Sequence, residues 1–161
     1  MSLKSLKVYS PLVVIVVVIG IITLMRQMIY GLNVDAMLND CMGITLLVFG
    51  TIKLLRWQGF VDAFRSYDMV AQRSELYAKA YPLLEIALGF LYLQRILPLF
   101  TNMATLVLTS LSTISVVREL RKSNPMPCAC MGAVFVLPMT WVTLAENGFM
   151  MVVAMILLIK G

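Results

Sequence analysis

The sequence predicts an all-α integral membrane protein, and three observations support this fold class. Hydrophobic residues fill 61% of the 161 positions, and only 13% of the residues are charged. In soluble domains roughly a quarter of the residues are charged. The mean hydropathy of +0.93 is also far above that of soluble domains. Apolar segments of about 20 residues, the length that crosses a bilayer, recur along the chain. Together they use nearly the whole length, so no separate soluble domain fits.

Five segments are predicted to span the bilayer. The first covers residues 9–25 and is extended by Met28 and Tyr30. It follows Lys4 and Lys7 as a signal peptide would, but it lacks a small-residue cleavage site, so we interpret it as a retained helix. The other four spans are predicted at residues 36–55, 81–100, 101–117 and 138–159.

Small and hydroxyl residues mark the packing faces of these spans. Gly43, Gly50 and Gly89 are predicted to let helices approach closely in lipid. The fourth span carries a threonine at every fourth position, from Thr101 to Thr113. This hydroxyl stripe has two interpretations, which are hydrogen bonding within or between helices and a path for a polar substrate.

An amphipathic helix is predicted between the second and third spans. Its apolar positions recur at spacings of three and four, whereas acidic and basic residues lie between them. We expect it to lie at the membrane surface as a connector. The apolar positions are Trp57, Phe60, Phe64, Tyr67 and Ala71.

The distribution of Lys and Arg predicts the orientation. Five of these residues fall within 53–79 and three more lie at Arg118, Arg121 and Lys122, whereas Asp35 and Asp40 are counted with the loop between the first two spans. The positive-inside rule therefore places the N-terminus, the amphipathic helix and the loop after the fourth span in the cytoplasm, in a bacterial inner membrane. The net charge of +5 belongs to these loops, so no nucleic-acid partner is expected.

Charged residues inside spans are costly to place and should be paired. Lys53 and Glu85 fall at similar depths from the cytoplasmic surface, so we expect them to form a structural ion pair, with a proton or cation relay as the alternative. Glu146 is expected at the start of the last span, where a carboxylate favours the helix dipole.

The chemistry-bearing cluster of the sequence is Cys128-Ala-Cys130, flanked by Met126 and Met131. Thiolates are nucleophiles, redox centres and soft-metal ligands, and the chain has no histidine to compete with them. The third cysteine, Cys41, lies at the other end of the second span and is expected to be an inert buried thiol.

Several motifs in this order resemble the MauE/DoxX-like redox-associated membrane proteins. They are Gly50-Thr-Ile-Lys53-Leu, Phe60-Val-Asp-Ala-Phe64-Arg-Ser-Tyr67, Pro82-Leu-Leu-Glu85-Ile-Ala-Leu-Gly89, Cys128-x-Cys130-x-Gly132 and Pro138-Met-Thr140-Trp141. The resemblance implies a DoxX-like four-helix membrane domain at residues 36–161, preceded by one additional transmembrane helix at residues 1–35. Met131 replaces the usual Phe of that family, and Glu146 stands where an Arg is common.

The resemblance implies a role in disulfide or cofactor maturation of exported proteins, as in methylamine metabolism. The leading hypothesis is a thiol–disulfide redox protein in which Cys128 and Cys130 exchange with a partner protein. The first alternative is a soft-metal protein that binds Cu(I) or Hg(II) through these cysteines, with Met126 or Met131 as weaker ligands, and passes the ion to a metal carrier. The second alternative is a structural membrane subunit, and a homo-oligomer stays open in each case.

Overall fold

The computed structural model describes the backbone of residues 3–31, 33–121 and 139–160, and the side chains of residues 12–31, 33–121 and 143–160. These residues form helices and no strand. The helices are α1 (Leu3–Tyr30), α2 (Val34–Leu55), α3 (Trp57–Tyr67), α4 (Glu75–Gln94), α5 (Pro98–Leu120) and α6 (Met139–Lys160). All except α3 are long and apolar enough to cross a membrane. The chain is therefore an all-α membrane protein with five candidate spans, as the sequence predicted.

The bundle has two ends, which we name by the residues that lie there. At the α3 end, α2 and α5 finish and α4 and α6 begin. At the Asp40 end, Lys160 of α6 lies 2.7 Å from Asp35 of α2, so the last helix finishes beside the start of the second. The spanning helices thus alternate in direction through the bundle.

The break between α4 and α5 lies earlier than the sequence predicted. We expected one span to end at residue 100, but α4 ends at Gln94 and α5 begins at Pro98. Arg95 and Leu97 have positive φ angles of 55° and 49°, which end the helix, and Pro98 opens the next one at its first turn. Continuous hydrophobicity across residues 96–100 concealed this turn.

The pair α2 and α4 is held together by direct backbone contact at glycines. A Cβ atom on Gly43 would lie 2.9 Å from the Gly89 carbonyl oxygen, and a Cβ on Gly89 would lie 2.9 Å from that of Gly43. Gly50 is similarly close to Ile86 and to the Pro82 carbonyl. The expectation that these small residues permit close packing is confirmed.

The threonine stripe on α5 is satisfied largely within its own helix. The hydroxyls of Thr105, Thr109 and Thr113 each donate to the carbonyl four residues earlier, at 2.7 to 2.8 Å. Across the helix pair, the Asn147 side-chain amide of α6 donates to the Ser112 hydroxyl of α5 at 3.1 Å. The hydrogen-bonding interpretation of this stripe is therefore the observed one.

The amphipathic helix α3 forms, but its apolar face turns into the protein. Phe60, Phe64 and Tyr67 are buried, whereas Asp62 and Arg65 are exposed. The rings of Phe64 and Tyr81 of α4 have centroids 4.6 Å apart. The expected surface connector is thus a lid on the α3 end of the bundle, because Phe60, Phe64 and Tyr67 find protein partners, whereas Trp57 stays exposed.

Candidate functional site

The central polar contact joins α2 to α4. Lys53 lies in the last turn of α2, and its Nζ is 2.5 Å from Glu85 Oε1 on α4. The two residues are only 5% and 2% exposed. This is the pair that the sequence suggested from similar depths in neighbouring spans.

Aromatic rings surround the ammonium group. Lys53 Nζ lies 5.1 Å from the ring centroid of Tyr81 and 5.8 Å from that of Phe60. A ring face attracts a cation at this distance, so the rings compensate part of the lost hydration. The folding of α3 onto α4 is therefore what closes the site.

Glu146 brings a second carboxyl group to the same place. It is the eighth residue of α6, which corrects the expectation that it starts the last span, because the helix already begins at Met139. Its Oε2 atom is buried and has no hydrogen-bond partner among the described residues, and the same is true of Glu85 Oε2. Glu146 and Lys53 line one small cavity of about 10 Å³, which is close to the space that a single water molecule needs.

The cavity wall is otherwise polar on one side and aromatic on the other. Its remaining lining residues are Phe60, Phe64, Tyr67, Tyr81, Ser112, Thr143 and Asn147. Tyr67 belongs to α3, outside the candidate spans, and burial together with the charge of Asp68 raises the pKa of its hydroxyl well above the usual value. This phenol therefore stays neutral and is an uncharged part of the cavity wall.

The charge balance of this Lys53 site suggests what it can do. One ammonium faces two carboxyl groups, so the site is electrically neutral when the carboxyls share one proton. An excess negative charge in such an environment is strongly disfavoured. The site therefore keeps one proton between its two carboxyl groups, in addition to tying α2 to α4.

A second polar cluster at the Asp40 end was missed by sequence reasoning. Asp40 is fully buried, and it contacts Arg26 Nε at 3.3 Å and the Gln27 side-chain amide at 3.1 Å. Arg95 lies further away, at 3.9 Å. Asp40 had been counted as a loop charge, although its position six residues into α2 was a signal for burial. This cluster ties α1 and α4 to α2.

The cysteine pair predicted to be catalytic, Cys128 and Cys130, lies outside the described residues, as do the alternative metal ligands Met126 and Met131. In the sequence, Cys128 follows Leu120, the last residue of α5, by eight residues, and Cys130 precedes Met139 by nine. The end of α5 and the start of α6 both lie at the α3 end. Cys41 is described and is half-buried on α2.

The fold and the buried charges define a polytopic helical membrane protein with an ionisable site between its spans. Residues 33–160 match the model of the family described as "Methylamine utilisation protein MauE". This match covers well over half of the chain, which therefore belongs to the MauE family and is linked by it to methylamine utilisation. Comparisons with curated proteins and with solved structures gave no match.

Proposed function

We propose that this protein is a membrane thiol–disulfide redox protein that supports disulfide or cofactor maturation of a partner. Cys128 and Cys130 are the exchanging pair. A partner thiolate attacks the disulfide of the pair, a mixed disulfide forms, and a second partner thiol releases it. The net reaction moves two electrons and two protons from the partner to the cysteine pair.

The observation that carries this proposal is the place of the Lys53 site. It lies at the α3 end of the bundle, where α5 finishes and α6 begins on either side of the cysteine segment. Thiol–disulfide chemistry requires protons to be taken up and released as the sulfur atoms change state. The two carboxyl groups around Lys53 hold an exchangeable proton at that end.

Several features of the sequence add support. Cysteines separated by one residue close a small, strained ring when oxidised, and strain makes a disulfide a better oxidant. The family description links the protein to one metabolic system, which suits a dedicated maturation role.

We place the protein in the bacterial inner membrane with its N-terminus in the cytoplasm, on the distribution of Lys and Arg.

The test uses the purified protein in detergent with Cys41→Ala as the matched control. Cys128→Ser and Cys130→Ser should each abolish the reversible two-electron step in a glutathione redox titration, while Cys41→Ala should leave its midpoint unchanged. The wild type and the same three variants are also titrated with Cu(I). A wild-type protein with no redox step but tight Cu(I) binding that both serine variants lose would replace the redox proposal by the soft-metal alternative.

A further inference from the structure

An apolar groove runs between α1, α2 and α6. Its volume is about 550 Å³, within the range of small-molecule sites. Ile19 and Gly20 of α1, Phe49 of α2 and Phe149 of α6 form much of its wall. Because these helices are candidate spans, the groove belongs to the membrane-embedded part of the protein.

One wall residue does not suit a purely apolar occupant. Glu146 lines this groove and also lines the Lys53 cavity, so it separates the two spaces. Its Oε2 is buried without a partner among the described residues. A polar atom left this way is costly, and a lipid acyl chain cannot relieve the cost. A ligand that combines an apolar body with a hydrogen-bonding oxygen can.

We propose that the groove binds a lipid-soluble quinone. The quinone ring lies against Glu146 at the α3 end, and its tail follows α1 toward Cys41, which lines the groove farther along α2. The positions of Cys41 and Phe49 are eight residues apart, so the groove extends over roughly 12 Å of helix. Such a length accommodates a quinone ring and the first part of its tail.

The quinone completes the proposed function as the electron acceptor for Cys128 and Cys130. This redox role of the quinone rests on the proposed function. The Cys128 and Cys130 thiols lose two electrons and two protons as their S–S bond forms. The quinone gains two electrons and two protons and becomes a hydroquinone. Glu146 holds a proton for the quinone carbonyl oxygen, and the Lys53 and Glu85 pair lies on the other side of Glu146 to replenish it.

Quinone binding itself can be tested without any thiol chemistry. In the Cys128→Ser/Cys130→Ser protein, Cys41 is the one remaining cysteine, and its alkylation by N-ethylmaleimide reports on the groove. Decylubiquinone at about ten times its Kd should slow alkylation about tenfold, because only unoccupied protein reacts. Decyl alcohol, which has a similar tail and no ring, should require a much higher concentration.

Two glycines supply a steric test with a matched control. A Cβ on Gly20, which lines the groove, would meet no atom within 4 Å, so Gly20→Leu places its side chain in the groove without a backbone clash. Gly148 is equally open but does not line the groove. Gly20→Leu should abolish protection by decylubiquinone, whereas Gly148→Leu should leave it intact.

Glu146→Leu provides an independent variant that should fold well, because it removes an unpartnered carboxyl group. It should weaken decylubiquinone about tenfold, the loss expected for one hydrogen bond. Equal protection by decyl alcohol and decylubiquinone would show an acyl-chain groove and overturn the proposal, as would unchanged protection in Gly20→Leu. The assay uses a protein without Cys128 and Cys130. A negative result would therefore disprove quinone binding without disproving the redox function.

Discussion

Removing the ammonium group of Lys53 should destabilise the protein far more than removing a surface ammonium at a similar distance from its partner. Lys53→Met leaves the buried Glu85 and the buried Oε2 atom of Glu146 with no cation beside them. Breaking a buried pair costs about 3 to 5 kcal/mol. The matched control is Lys160→Met, because Lys160 lies 2.7 Å from Asp35 with both side chains about half exposed. Such a surface pair contributes about 0 to 1 kcal/mol.

The pH dependence of this effect follows from proton uptake. In Lys53→Met the unpaired carboxyl takes up a proton on folding, and protonating an ordinary carboxyl with a pKa of about 4.3 costs about 3.7 kcal/mol at pH 7 and about 1 kcal/mol at pH 5. The folded variant then binds more protons than the unfolded chain, so its stability rises as pH falls. The deficit relative to wild type should therefore shrink toward about 1 kcal/mol at pH 5.

A double-mutant cycle with Glu85→Gln completes the test, using the free energy of unfolding from SDS titration in mixed micelles. Glu85→Gln should cost less than Lys53→Met, because Glu146 remains beside the ammonium group. The double variant should be more stable than the sum of the single effects predicts, by about 1 to 3 kcal/mol. Additivity within about 0.5 kcal/mol, or equal losses for Lys53→Met and Lys160→Met, would refute the reasoning.

Three further predictions concern packing and orientation. Gly89→Ala should clearly lower the melting temperature in detergent, because its Cβ would lie 2.9 Å from a carbonyl oxygen of α2. Gly148→Ala, which has open space around it, should not lower it. Equal melting temperatures of the two variants would contradict the glycine contact. Asn147→Ala should cost about 1 kcal/mol in SDS titration through loss of its 3.1 Å bond to Ser112, and an unchanged free energy would show that this bond contributes nothing. A single cysteine at Met69 should resist a membrane-impermeant maleimide in intact cells while one at Ile96 reacts, and the reverse pattern would invert the orientation.

The sequence predicted the elements whose signals are local. Hydropathy identified five spans, and spacing identified α3, because a helix buries residues three and four apart on one face. The glycine contact and the hydroxyl stripe also follow from local patterns. The turn at Arg95 to Leu97 was placed too late, since backbone conformation there overrides a continuous apolar run.

The site depends on tertiary contacts that local patterns do not contain. Lys53 and Glu85 could be paired from their similar depths, but nothing in the sequence shows that α6 brings Glu146 to the same cavity. Asp40 was assigned to a loop because its partners come from distant parts of the chain, Arg26 from α1 and Arg95 from the turn after α4. The packing of α3 against the protein was missed for the same reason. An amphipathic pattern does not show whether the apolar face of a helix contacts protein or lipid.

The central claim is that Cys128 and Cys130 exchange disulfides with a partner protein, and trapping the mixed disulfide tests it most directly. Cells expressing Cys130→Ser in a Cys41→Ala background are quenched with acid, alkylated and analysed on non-reducing gels, with Cys128→Ser/Cys130→Ser as the control. We expect a thiol-sensitive adduct that contains a partner protein and is missing in the control. Normal partner maturation in cells that carry only the double-serine protein would contradict the claim.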